Sequence, residues 1–292
     1  MTGAKGEISD MDTLDYRFGG VGFRIESQTA LCEGNELKVF RAGGVPVFRI
    51  CVRPVHAVRV PNDPPWMRNN KCCVWQDGNG ERRVLTAPRA PGDLFHPYCL
   101  RVRRGSSIDL YWETNGGPGI RVLDVLEAAD LSGLLLESGG LILHASYIRL
   151  ENGEGLLFSG ASGAGKSTQA ALWEQHRRAE VINGDRVLLR TEQGRVQAHG
   201  ICFSGTSGIC KNDSAPVAAL VLPGKAPKTS IRPMRGLDAF RALLPQCSYQ
   251  TWNPEDVRNV TGILSRLIGE APIWKLDCRA DQSAVEMLER YL

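Results

Sequence analysis

Leu156-Leu157-Phe158-Ser159-Gly160-Ala161-Ser162-Gly163-Ala164-Gly165-Lys166-Ser167-Thr168 is an apolar run that passes into a glycine-rich loop and then into helix-forming residues. From Gly160 the loop has the G-x-x-x-x-G-K-S spacing of a Walker A, or P-loop, sequence. Between a strand and a helix, such a loop turns backbone N–H groups and the helix N-terminus toward phosphates, and its glycines remove the Cβ atoms that would block their approach. The candidate binding residues are Gly160, Ser162, Gly163, Ala164, Gly165, Lys166, Ser167 and Thr168. Lys166 is placed to balance β/γ-phosphate charge and Ser167 to ligate Mg²⁺, so the expected ligand is a nucleoside triphosphate, ATP first, with Mg²⁺. The competing reading is a glycine-rich turn followed by an accidental Lys-Ser.

C-terminal to the loop, Lys166 to Arg178 reads as a helix with Ala170, Leu172 and Trp173 on its apolar face, and Val181-Ile182 as the next strand. That strand ends at Asn183-Gly184-Asp185. Its end is where strands of an open α/β sheet meet a ligand crevice, so Asp185 is a candidate Mg²⁺ ligand or proton acceptor. The plainer alternative is a turn-capping Asp or a partner for Arg186. Upstream, Leu141 to Tyr147 reads as a strand with His144 at its middle. A lone His in an apolar strand is commonly a packed core residue, and His199 is ambiguous in the same way. Ser204-Gly205-Thr206-Ser207-Gly208-Ile209-Cys210-Lys211-Asn212 has the composition of either an anion-facing loop or a surface turn. Arg232 and Arg235 read as solvated, with phosphate contact the lesser option.

Further out, Pro216 to Leu222 and Ile273 to Asp277 read as strands, and Leu237 to Leu244, Glu255 to Ile268 and Ser283 to Leu292 as helices. The part from 138 to 292 is therefore an α/β domain. The part from 1 to 137 differs. It is broken by Gly and Pro, and its short β-branched runs (Val21 to Ile25, Leu37 to Phe40, Val45 to Arg53, Ile108 to Trp112) have strand length. Turn chemistry separates them at Pro61-Asn62-Asp63-Pro64-Pro65 and Asn115-Gly116-Gly117-Pro118-Gly119. A helix over Ile120 to Leu136 and the loop Glu137-Ser138-Gly139-Gly140 mark the expected boundary.

The chain has 292 residues, and its 35 basic and 32 acidic side chains are spread along it. No Lys/Arg cluster forms a footprint for nucleic acid or a membrane, so neither is an expected partner. The N-terminal run lacks the apolar core of a signal peptide and no stretch of about 18 apolar residues occurs, which points to a cytoplasmic protein. Nine irregularly spaced cysteines read as reduced thiols rather than a disulfide framework or zinc site.

The run from His144 through Gly160–Ser167 to Asp185-Arg186-Val187 resembles the catalytic domain of HPr kinase/phosphorylase and its relative, ATP-dependent phosphoenolpyruvate carboxykinase. That family places a His in the strand before the loop, a G-x-S-G-x-G-K-S loop, and Asp-Asp-Arg-Val after the following helix. Here Gly184 stands in place of the first Asp of that pair, and Thr168 stands where HPr kinases commonly carry Glu. The likeness covers about residues 138 to 292. The whole-chain pattern, with Ser-Gly-Thr-Ser-Gly-Ile-Cys-Lys-Asn downstream, looks closer to the HPr kinase-like proteins encoded with ribosomally made, modified peptides. The resemblance implies an HPr kinase/PEP carboxykinase-like P-loop domain with a β-rich N-terminal accessory domain. It implies an ATP/Mg²⁺-dependent kinase acting on a Ser or Thr hydroxyl of a peptide or small protein, with Asp185, His144 and Lys166 catalytic and Ser167 and Asp185 on the metal. A nucleotide-dependent ATPase, switch or accessory protein is the alternative that accommodates Gly184. Assembly into a homo-oligomer is open.

Overall fold

The computed structural model describes residues 11–77, 80–86, 96–114 and 119–292. The start of the chain and all but Gly119 of the Asn115–Gly119 turn lie outside the described residues. The chain divides into two compact units, one running to Arg17 and from Val21 to Leu131, the other comprising Phe18–Gly20 and Ser132–Leu292.

The first unit is dominated by strands β1 (Asp12–Phe18), β2 (Val21–Ser27), β3 (Leu31–Cys32), β4 (Phe48–Val55), β5 (Met67–Arg68), β6 (Cys72–Asp77), β7 (Gly80–Thr86), β8 (Pro97–Arg104), β9 (Ser107–Glu113) and β10 (Ile120–Arg121). Eight of them form one sheet in the order β1-β2-β4-β9-β8-β7-β6-β5, with β2, β4 and β9 parallel and β9 through β5 an antiparallel meander. Two readings are corrected here. Leu37 to Phe40 is not a strand: α1 (Asn35–Lys38) and the turn after it form instead, closed by the Phe40 N–H to Leu37 carbonyl bond of 2.9 Å, and both side chains are fully buried. The helix expected over Ile120 to Leu136 is interrupted. It begins with β10 and then splits into α2 (Val122–Ala128) and α3 (Leu131–Glu137), because Asp130 takes a left-handed φ of 66°. The Asp130 carboxylate lies 2.5 Å from buried Arg83, and Glu81 lies 2.6 Å from Arg83 and 2.5 Å from Arg101. Burial, followed by the charge of Arg83, pushes the Arg101 guanidinium down to about 10.

The second unit contains β11 (Gly140–Arg149), β12 (Gly155–Ser159), α4 (Lys166–Arg177), β13 (Glu180–Asn183), β14 (Arg186–Glu192), β15 (Arg195–His199), β16 (Ser214–Lys225), β17 (Ser230–Pro233), α5 (Gly236–Leu243), α6 (Pro254–Glu270), β18 (Ile273–Cys278) and α7 (Gln282–Glu289). It is a mixed α/β structure. Two long strands each serve two sets of neighbours. Residues 145–149 of β11 pair antiparallel with β12 and β13, while residues 140–144 pair with β14. In the same manner, residues 214–216 of β16 pair with β15, and its later residues run parallel to β12 and β18.

Alternation along the strands feeds two cores. Leu157, Leu220 and Leu222 pack with Leu243 of α5 and Val260 and Leu264 of α6. Leu156, Phe158, Ala219 and Val221 point to the other face, against Trp173 of α4 and Leu288 of α7. Each fully buried Leu or Phe contributes about 1.5–3 kcal/mol relative to exposure. That apolar clamp on both faces of β12 fixes where its C-terminal end delivers the glycine loop. No helix among the described residues is long and apolar enough to cross a membrane.

Candidate functional site

β12 ends at Ser159 and α4 begins at Lys166, so six residues must reverse the chain into the helix. They do so with left-handed backbone at Gly163 (φ 78°) and at the N-cap Gly165 (φ 103°), conformations that cost little only for glycine. An Ala164 N–H to Ala161 carbonyl bond of 3.1 Å closes the loop, and the first helical bond runs from Gln169 N–H to the Gly165 carbonyl at 2.9 Å. The amides of Lys166, Ser167 and Thr168 thus form the open first turn of α4, with the positive end of its dipole above them.

This turn opens on a cleft of about 410 Å³. Ser162, Gly163, Gly165, Lys166, Ser167 and Thr168 line one side, and His144, Gly184 and Asp185 another. Of the other anticipated loop residues, Ala164 borders a small neighbouring pocket, and the Gly160 carbonyl accepts from Lys166 Nζ at 2.8 Å. Lys166 Nζ also donates to the Ala161 carbonyl at 3.2 Å. Burial holds the Lys166 amine below its ordinary range, opposed by the Asp185 charge.

His144 is mid-strand, yet its partner β12 stops at Ser159, opposite Ala145, so the imidazole emerges beside the loop. Its side chain is 36% exposed and its Nε2 lies 3.3 Å from Asp185 Oδ1, unlike the packed core histidine that an apolar strand suggests. Burial lowers the His144 pKa from its ordinary value, the Lys166 charge lowers it further, and Asp185 opposes both. Asp185 is aimed by Asn183. That fully buried side chain accepts from the Asp185 and Arg186 N–H groups at 2.9 and 3.0 Å and donates to the Ile201 carbonyl at 2.6 Å. Arg186 lies 3.5 Å from Asp185 Oδ2, and its guanidinium stacks 4.6 Å over the Phe203 ring.

Gly184 is fixed by space rather than by φ. A Cβ there would meet Ser207 Oγ at 2.1 Å and Ser207 Cβ at 2.6 Å, and one at Gly205 would meet Asp185 Cβ at 2.7 Å. The short 3₁₀ turn Gly205–Ser207 therefore sits on the Gly184-Asp185 peptide, with Thr206 and Ser207 on the cleft wall. The end of the same loop turns elsewhere: Lys211 pairs with Glu180 at 2.8 Å. His199 lies in β15, 3.1 Å from Glu192 and outside the cleft lining. Arg232 and Arg235 are exposed and likewise outside it.

Sequence reasoning missed Asn183 as the organiser of the turn and Lys225 on the cleft wall, and it left the run that holds Ser207 open between an anion-facing loop and a surface turn. Of the two missed residues, only Lys225 left a signal. It closes the apolar strand Leu220-Val221-Leu222, and residues at carboxyl ends of strands face the crevice in α/β sheets.

Neither a protein-family model nor a curated protein matches the chain. Among solved structures, the Hpr(Ser) kinase/phosphatase from Coxiella burnetii is similar over 51% of this chain and 87% of its own, with 12% sequence identity and a TM-score of 0.30. A likeness of that degree decides neither fold nor chemistry.

Two measurements test this geometry. Gly184→Ala is expected to lower unfolding free energy by about 1–3 kcal/mol in urea, and Ser207→Gly in the same chain to recover most of it. A Gly184→Ala protein as stable as wild type contradicts the packing of the 205–207 turn. For His144, a folded pKa depressed below the unfolded value means stability present above about 6.5 and lost as pH falls through the folded value. NMR titration of the metal-free, nucleotide-free protein should place the His144 midpoint below 6.5, with Asp185→Asn moving it lower still. A midpoint above 6.5 contradicts the environment described.

Proposed function

We propose that this chain is an ATP- and Mg²⁺-dependent phosphotransferase of the P-loop, HPr kinase-like type, whose acceptor is a Ser or Thr hydroxyl of a peptide or small protein. One observation carries the reading: the open first turn of α4 with Lys166, and the Asp185 carboxylate, line one cleft. Phosphoryl transfer asks for positioning and charge neutralisation more than for covalent chemistry, and these groups supply both.

In this reading, the amides of Gly163 to Thr168 cradle the phosphates and the Lys166 ammonium swings from the loop carbonyls onto the β/γ-phosphates. The Ser167 hydroxyl and Asp185 carboxylate are the hard oxygen donors that suit Mg²⁺, which when bound neutralises phosphate charge. The acceptor oxygen attacks the γ-phosphorus, the bond to the bridging β–γ oxygen breaks, ADP leaves, and the hydroxyl proton passes to Asp185. His144, whose pKa burial holds below its ordinary value, steadies Asp185 through the 3.3 Å contact. The β-rich first unit would dock the acceptor.

A second reading, an ATPase or nucleotide switch in which water is the acceptor, draws support from Gly184. With Ser207 packed on it, position 184 contributes no second carboxylate. One assay separates the two. Incubation with MgATP and Ser- or Thr-containing peptides, followed by mass spectrometry, should add one phosphate to a peptide. Asp185→Asn should lower kcat roughly 10²- to 10⁴-fold. Free phosphate with unmodified peptides favours the switch, and an Asp185→Asn protein of full activity contradicts the assigned base.

A further inference from the structure

Lys225 takes no part in the chemistry above, yet it stands on the wall of the same cleft. Its position follows from the sheet. β16 runs parallel to β12 in a register that sets Val221 beside Phe158, so the carboxyl ends of both strands emerge at the same edge. β12 runs on into the phosphate loop, and β16 runs on to Pro223-Gly224-Lys225. The backbone of Lys225 remains paired with Cys278 of β18, so the residue is held in a strand rather than on a free loop.

Charge pairing sets this lysine apart. The acid nearest in register is Asp277, opposite Gly224, and it is engaged by Lys275 at 3.3 Å. Close by, a Cβ on Gly224 would meet Asp277 Oδ1 at 2.4 Å and Lys275 Nζ at 2.5 Å, so that ion pair lies directly over the Gly224 backbone. Lys225 itself is exposed and, among the described residues, has no salt-bridge partner. Two lysines, Lys166 and Lys225, therefore border the cleft against one carboxylate, Asp185. A magnesium-bound triphosphate retains net negative charge after the metal is counted, and a second cation suits it.

The end of the cleft is also marked. Lys225 borders a small adjoining pocket of about 50 Å³ together with Gly165 and Thr168, and that pocket includes neither His144, Asp185 nor Ser207. Lys225 thus lies toward the Thr168 side of the loop. In a phosphate loop the lysine reaches the β/γ-phosphates and the backbone amides cradle the α/β pair.

Resting on the nucleotide-binding reading above, we infer that Lys225 is a phosphate-binding residue that contacts the α-phosphate end of the nucleotide and contributes to affinity more than to turnover. An α-phosphate is common to ATP and ADP, so both should feel its loss equally. The contact is made alike in ground and transition states, so it belongs in KM.

Calorimetric titration of the full chain with MgATP and MgADP, together with steady-state kinetics, tests this. Lys225→Ala should weaken both nucleotides roughly tenfold, with the loss appearing in KM, and Lys225→Arg should restore most of the affinity. Circular dichroism of the variant, unchanged from wild type, would show that an exposed side chain was removed without unfolding. Equal affinities for wild type and Lys225→Ala overturn the inference while leaving the nucleotide reading intact. Weakening of ATP alone, or a fall confined to kcat, also overturns it, by placing the lysine at the γ end. Failure of the wild-type chain to bind either nucleotide overturns the inference and the nucleotide reading together.

Discussion

The turn from β12 into α4 is the constraint on which the rest of the second unit depends. Six residues must reverse the chain, and they do it with left-handed backbone at Gly163 and Gly165. A side chain at either position would strain that conformation by about 1 kcal/mol or more. The turn holds its place because β12 is buried on both faces, with Leu157 in one core and Leu156 and Phe158 in the other. A helix N-terminus is thereby aimed at a fixed point instead of at solvent, and the cleft forms around that point.

The opposite wall depends on a chain of small fits. Asn183, buried, spends its side-chain oxygen on two successive N–H groups and so sets the direction of Asp185. Gly184 lets the Gly205–Ser207 turn descend onto the same peptide, and Gly205 in turn makes room for the Asp185 side chain. Each fit is steric or a single hydrogen bond, but together they hold a half-exposed carboxylate 3.3 Å from His144 and within the same cleft as Lys166. Precise placement of this kind is what phosphoryl transfer chemistry rewards.

Much of this was legible in the amino-acid sequence, for physical reasons. The strand, loop, helix and strand from Leu156 to Ile182 are local features written in apolar periodicity and glycine spacing, and the elements form within a residue or two of where the pattern puts them. Strand direction was not legible. That β11 runs antiparallel to both β12 and β13, and that β11 and β16 each serve two sets of neighbours, depends on pairings between distant residues. The short helix at Asn35–Lys38 escaped because four residues carry too little periodicity, and Asp130 broke an otherwise helical pattern through a left-handed turn stabilised by Arg83. At the cleft, residue types and spacing pointed to Lys166, Ser167 and Asp185, only the family resemblance pointed to His144, and the structure brings the four together. The meaning of Gly184 was out of reach, since a missing carboxylate and a space filled by Ser207 look the same in one dimension.

The proposed function requires the first turn of α4 and Asp185 to face one bound triphosphate. A crystal structure of the chain with Mg²⁺ and a non-hydrolysable ATP analogue tests it most directly. Phosphates are expected on the amides from Gly163 to Thr168, with Lys166 Nζ moved from the Gly160 carbonyl onto phosphate oxygen and Asp185 directed at the γ-phosphate or its metal. Phosphates bound elsewhere, or an Asp185 carboxylate turned away from them, would contradict it.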